Sequence, residues 1–252
     1  MSRFRNYFDF LWVMTQKEFK ASYKRTVFGF FWVLLYPVLQ MIIIGTIFSF
    51  FVKIPNYLLF IFTSLLAWNF FSLSLSKATP SIVIERSILQ KARFPIEAIP
   101  ISIILSNFTN LLVSSALLLI LLVFFDKLLF PQILLLFPAF VWLLIFTVGA
   151  SLFTASLNVR YRDINFLVQT LLILWFYTTP VLYNLSLIPQ SLHRLFSLNP
   201  LTSIFELIHF AVLGQGTINT NILCINIVLG LIIVFIGVLV YRKQNKYFVD
   251  WL

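Results

Sequence analysis

Reactive and polar residues are scarce in this chain of 252 residues, which holds one cysteine, two histidines, seven glycines and only 10% charged residues. The lone Cys224, set in the apolar run NILCINIVLGLIIVFIG, excludes an intrachain disulfide and reads as a small buried hydrophobe. His193 and His209 have no companion Cys or His at ligand spacing, so no metal site is expected. No G-x-x-x-x-G-K-[ST] phosphate loop exists, because Gly214 and Gly216 precede no Lys-Ser/Thr pair. Eight acids spread thinly along the chain leave no cluster for acid–base chemistry, and no catalytic residue is expected.

Apolar side chains are what the sequence has in excess. Hydrophobic residues make up 61% of it, aromatics 18% with 30 Phe, and the mean hydropathy is +1.00. A soluble domain runs about 45–50% apolar and about 25% charged, so the solvent of this chain is lipid. A soluble enzyme, a disordered tail and a secreted disulfide scaffold are excluded. The fold class expected is an all-α integral membrane protein forming one transmembrane domain over residues 1–252.

A bilayer core about 30 Å thick needs about 20 helical residues to cross. Six apolar runs qualify, at 28–52, 57–77, 100–125, 131–158, 164–185 and 219–241. Fifteen of the eighteen basic residues fall in 1–27 and in alternate connections thereafter; only Lys53, Lys127 and Arg194 fall on the other side. Basic loops stay cytoplasmic, so six spans with both termini inside are expected. The opening MSRFRNYFDF lacks the apolar core and small-residue site of a cleaved signal.

Three segments fail to span. In 1–27, Phe4, Tyr7, Phe8, Leu11 and Trp12 follow the spacing of one helical face, with Arg3, Arg5, Asn6 and Asp9 elsewhere. That pattern predicts a helix lying in the headgroup plane, with an orienting leader as the bland alternative. In 78–99, Pro80 and Ser81 suit a helix start and Pro95 forces Phe94 out of helical geometry. A cytoplasmic helix of about three turns is expected between them, either solvated or docked on a partner. In 186–215, Asn199 and Pro200 look like an N-cap and first-turn proline and Gly214 like a stop. The enclosed helix is too short to cross, and with the stretch before it suggests a re-entrant hairpin on the outer side. Asp163 is placed to cap the helix of the fifth span. Glu206 is the only acid of the outer helix, and Arg194 is its candidate partner.

Aromatics also cluster inside spans, at Trp68, Phe70 and Phe71 and at Trp175, Phe176 and Tyr177. Such rings stack on sugar faces and their polar edges want partners. Packing is the simpler reading of any one of them, and a pore lining is the reading of the group.

Four stretches resemble a known family: KEFKASYKRTVFGFFWVLLYPVLQ (17–40), LQKARFPIEAIP (89–100), NVRYRDINFLVQTLLILWFYTTPVLYNLSLIP (158–189) and SLNPLTSIFELIHFAVLGQG (197–216). They are similar, in order and spacing, to the membrane subunit of bacterial ATP-binding-cassette exporters of O-antigen, capsule or teichoic acid. The resemblance implies a coupling helix seated on an ATPase, matching Ile84, Glu85, Arg86, Ile88, Leu89, Lys91, Arg93 and Phe94. It implies outer gate helices, matching Arg194, Asn199, Glu206 and His209, and an interface helix before the first span. There Arg3, Arg5, Lys20, Lys24 and Arg25 would contact anionic lipid headgroups by charge attraction. It further implies two permease copies with two nucleotide-binding ATPase subunits, which use the ATP and Mg, while this chain binds no cofactor and no nucleic acid. The substrate implied is a lipid-linked polysaccharide. Alternatives are a related exporter of a drug, lipid or haem, a membrane-embedded glycosyl- or phospho-transferase, and a structural scaffold.

Overall fold

The computed structural model describes residues 2–24, 26–89, 94–214 and 218–251. Arg25, Lys91 and Arg93 lie outside the described residues, as do the side chains of Arg3, Arg5 and Ile88.

In chain order the helices are α1 (Ser2–Tyr23), α2 (Trp32–Ser49), α3 (Tyr57–Ile84), α4 (Arg86–Leu89), α5 (Ala98–Phe124) and α6 (Leu136–Arg160). They continue as α7 (Ile164–Thr178), α8 (Gln190–Ser197), α9 (Thr202–Leu213), α10 (Thr220–Gln244) and α11 (Phe248–Trp251). Among the described residues there is no strand. Five of these helices are long and apolar enough to cross a membrane: α2, α3, α5, α6 and α10. The run expected at 164–185 differs. Its helix stops at Thr178, and 15 residues reach only about 22 Å. Thr179 is extended and Thr179-Pro180 ends the helix there, since a proline disfavours helical geometry in the residue before it.

The centre of the bundle is α3, which packs on α2, α5, α6, α7 and α9. Phe60, Phe62, Phe71, Phe146 and Phe205 are fully buried around it. It also runs further than expected. Pro80 stands inside α3, so no new helix starts at Ser81. The proline takes away the amide that would bond the Ser76 carbonyl. Thr79 and Ser81 hydroxyls donate to the carbonyls of Leu75 and Ala78, and neighbouring helices hold Ala78 and Ile82 fully buried. Prolines survive in membrane helices under such support.

At one end of the bundle a second core joins Ile82 of α3, Val159 of α6, Tyr241 of α10 and Phe248 of α11, with Leu89 and Ile96 against it. Arg160 lies over the Trp251 ring at 5.5 Å. This end therefore holds residues 85–89 and 94–97 and the C-terminal helix, and α1 docks on it through a Phe10–Phe94 ring contact at 5.0 Å. The first helix has one face against protein. It packs along α5, burying Leu11, Met14 and Thr15 while leaving Phe8 and Trp12 exposed. The apolar face read from its sequence is shared between protein and surroundings.

At the opposite end the Tyr57 hydroxyl donates to the Leu182 carbonyl at 2.9 Å. There α8 and α9 meet at a bend of 100°. Helix α9 has 12 residues, Thr202–Leu213, and is capped by Gly214, whose φ of +62° suits glycine.

The α6–α10 contact depends on two glycines. A Cβ on Gly237 would strike the Gly149 carbonyl and one on Gly149 would strike the Val234 backbone. The two helices touch backbone to backbone there, as small residues allow.

Candidate functional site

Along α2, α3 and α7, polar side chains stand on a partly exposed face of otherwise apolar helices. Asn69 Nδ2 donates to Gln40 Oε1 at 2.7 Å, and Gln40 Nε2 donates to the Tyr36 hydroxyl at 3.0 Å. Further along α3, Gln169 Nε2 donates to the Ser76 hydroxyl. Between α3 and α7 lies a hollow of about 370 Å³, lined by Trp68, Ser72, Ser76, Gln169, Phe176 and Tyr177 among others. Polar groups exposed to hydrocarbon are costly, so such a face is covered by protein or by water.

The six aromatics expected to line a pore separate into two sets. Trp68, Phe176 and Tyr177 border this hollow, with Tyr177 61% exposed. Phe71 is fully buried, edge-on to Trp175 at 5.2 Å and tilted against Phe146 at 5.8 Å. Phe70 turns toward α5, edge-on to Phe108 at 5.5 Å. Phe71 is thus part of the packed core: it touches Trp68 at 5.6 Å and, like Trp68, meets α7, but it reaches Trp175 and Phe146 of α6 where Trp68 reaches Phe176 at the hollow.

Asn199 ties the hairpin to the end of α7. Its Oδ1 accepts from Trp175 Nε1 at 2.9 Å and from the Leu201 amide at 3.1 Å. Its Nδ2 donates to the Thr179 hydroxyl at 2.9 Å and to the Thr178 carbonyl at 3.3 Å. The residue is therefore a staple between two chain turns, two positions before the N-cap of α9, which is Leu201.

His209 is fully buried. Its Nε2 pairs with the Ser64 hydroxyl, and its ring stacks on Phe60 at 3.9 Å. Such a histidine holds α9 on α3 and has no surface to offer a substrate. Glu206 is half-buried and Arg194 exposed. The pairing of these two is not made, since the ion pair among the described residues is Lys17–Glu85. Asp163 precedes α7 without a side-chain capping bond, its backbone being already helical.

Lys17 Nζ lies 3.2 Å from Glu85 Oε1, which links α1 to the residues expected to couple to an ATPase. Among these, Ile84 is 71% exposed and Arg86 is exposed, whereas Leu89 packs on the second core and Phe94 on Phe10. Lys20 and Lys24 are exposed near the end of α1. Tyr23 ends that helix, and Asn110 donates a side-chain hydrogen bond to it. Burial raises the Tyr23 hydroxyl above its ordinary range and the Asn110 bond partly offsets this.

Sequence reasoning passed over Gln40, Asn69, Ser72, Ser76 and Gln169. The signal was present as amides and hydroxyls interrupting apolar runs, but an interruption says nothing of direction until the helices are packed.

Residues 9–213 match the ABC-2 type transporter family, about four-fifths of the chain's length. The chain belongs to that family. Among its relatives, the O-antigen export system permease protein RfbA of Myxococcus xanthus is 37% identical over 156 residues, 60% of this chain and 59% of that protein. Two proteins of the same name from Klebsiella pneumoniae are 30% and 28% identical over 255 residues, covering 96% of this chain and 95% of each relative. Membership in the ABC-2 family makes this a multi-pass membrane protein and a transport subunit rather than an enzyme. The family also implies partnership with an ATPase subunit.

Proposed function

We propose that this ABC-2 permease forms, with a second copy of itself and two ATPase subunits, an exporter that moves a lipid-linked polysaccharide outward across the plasma membrane. The observation that carries the reading is the polar face running from Gln40 and Asn69 to Ser76 and Gln169 on otherwise apolar spans. A polymer of hydroxyl-bearing sugars needs a path with exchangeable hydrogen-bond partners and aromatic surfaces, and Trp68, Phe176 and Tyr177 border the same hollow. A second copy facing this surface would enclose it from lipid.

In this reading the end carrying α1, residues 85–89 and 94–97, and α11 faces the cytoplasm, where the basic residues concentrate. ATP binding closes the partner subunits, and movement enters through Ile84, Glu85 and Arg86 into α3. The Lys17–Glu85 pair shares that movement with α1, whose exposed Phe8 and Trp12 rest in the membrane surface. Lys20 and Lys24 attract the anionic pyrophosphate of the lipid carrier.

The test is surface polysaccharide in a strain lacking the chromosomal copy and complemented by variants. Gln169→Leu with Ser76→Ala should leave the protein in the membrane at normal amount and cut surface polymer about tenfold, as when a few hydrogen bonds to a passing substrate are lost. Full export by this double variant would overturn the assignment of the face.

A further inference from the structure

A further hollow, of about 240 Å³, lies between α6, α7 and α10, with Leu75 of α3 also in its wall. Its accessible wall is wholly apolar. The α6 side steps through Phe153, Thr154 and Leu157, and the α7 side through Ile164, Leu167 and Leu171, the spacing of one helical face on each. Thr154 asks nothing of an occupant, since its hydroxyl donates to the Ser151 carbonyl at 3.2 Å and accepts from the Thr79 hydroxyl at 2.9 Å. Leu167 and Leu171 are half-exposed, so the hollow opens as a groove on the surroundings of the bundle.

The next step along the α6 side is Arg160, and Tyr161 follows it before the α7 side begins at Ile164. The groove therefore runs down to the α6–α7 turn. There the Arg160 guanidinium lies over the Tyr161 ring at 5.0 Å and over the Trp251 ring at 5.5 Å, contacts that position a cation without neutralising it. Arg162, Lys243 and Lys246 are exposed at the same end, where they and Arg160 outnumber Asp163 and Asp250. None of them pairs with another among the described residues, where the ion pair is Lys17–Glu85.

These features select the occupant. An open apolar groove set in hydrocarbon is filled, because an unfilled one forfeits its dispersion contacts. A wall without free polar groups suits an alkyl chain, and a hollow below the about 300–1,000 Å³ of a whole ligand site suits a segment of one. Cations at one end ask for a phosphate on that chain, as basic pockets between spans take anionic headgroups. The exported glycan fits less well. The groove lies on a different face of α7 from the polar hollow, Leu172 being the side chain common to the two walls, so cargo lodged here would be off the path. In the export reading the second copy covers the polar face and leaves this one to lipid. The placement of the copy rests on that reading, and the groove's own chemistry does not.

We infer that the groove between α6, α7 and α10 holds one anionic phospholipid, its acyl chain against Leu167 and Leu171 and its phosphate on Arg160 and Arg162. The bound chain fills the gap between α7 and α6.

Photo-crosslinking with mass spectrometry of the adduct tests it, in glycan-producing cells whose membrane holds both anionic and zwitterionic phospholipid. Leu171→p-benzoylphenylalanine and, in a second strain, Leu167→p-benzoylphenylalanine report the groove. Phe235→p-benzoylphenylalanine, at an exposed position of α10, reports bulk lipid. Adducts at 171 and 167 should be enriched in anionic phospholipid about twentyfold over those at 235, from two Arg at about fivefold each. Adding Arg160→Gln should lower the enrichment about fivefold, whereas Arg160→Lys should keep most of it. Adducts of one composition at all three positions, or enrichment indifferent to Arg160→Gln, overturn the site while the export reading stands. So does a lack of any lipid adduct at 171 and 167. Lipid-linked glycan as the adduct there overturns the site and puts the groove on the cargo's route. A permease–permease adduct overturns both the site and the placement of the second copy.

Discussion

The indole nitrogen of Trp175 donates to Oδ1 of Asn199 at 2.9 Å, joining the last turn of α7 to the corner between α8 and α9. The same asparagine holds Thr178, Thr179 and Leu201, so one side chain fixes where the shortest apolar helix ends and how the hairpin sits on it.

Removing that staple should therefore be costly. Asn199→Ala should lower stability by about 2–4 kcal/mol, for several partly buried hydrogen bonds at about 1 kcal/mol each. Thermal unfolding of the purified protein in detergent measures it. Asn199→Asp keeps the acceptor for Trp175 and should fall between the two.

The Lys17–Glu85 contact should behave oppositely. Both side chains retain exposure, 47% and 24%, and pairs of this kind contribute about 0–1 kcal/mol. Lys17→Glu and Glu85→Lys should each leave unfolding nearly unchanged yet reduce export. The double reversal should recover much of the export if the link between α1 and the 84–89 segment is what matters. A double variant as defective as the worse single one would show that each charge acts on a different partner.

His209 belongs to the packed interior, which sets its expected phenotype. His209→Ala removes an aromatic ring from between Phe60 and Ser64 and should cost about 3–5 kcal/mol, as aromatic truncations in cores do. His209→Phe keeps the ring and should retain most of the export activity per folded molecule. Quantifying surface polymer against permease in the membrane separates the two effects.

At the α6–α10 crossing, Gly237→Val should prevent the approach to Gly149, since the added Cβ has only backbone to displace. Overpacking of this kind costs about 1–3 kcal/mol or more. The readout is loss of folded permease from membranes, with Gly29→Ala as comparison, where the space is open and only the φ of +51° is strained.

Hydropathy made the long helices legible, because lipid contact demands a minimum length of apolar residues and little else. It misjudged α7, whose run of apolar residues continues past Thr178 although the helix does not: Pro180 and the Tyr57–Leu182 bond turn the chain into an extended segment. Pro80 misled for a related reason. Its local preference for a helix start gives way where α6 and the second core grip Ala78 and Ile82 on both sides. The aromatic clusters show the third limit, since Trp68 and Phe71 share one face of a helix and touch at 5.6 Å, yet only Trp68 borders the hollow. The polar face needed packing as well. Gln169 and Ser76 are 93 residues apart, and no pattern in one strand of sequence brings them together.

The brevity of α7 carries a mechanical consequence. A helix of about 22 Å set against hydrocarbon of about 30 Å leaves a mismatch that the bilayer meets by thinning, at a cost of fractions of a kcal/mol per Å. On the export reading, lipid left beside α7 by the second copy is thinned on the hairpin side, where the helix stops at Thr178.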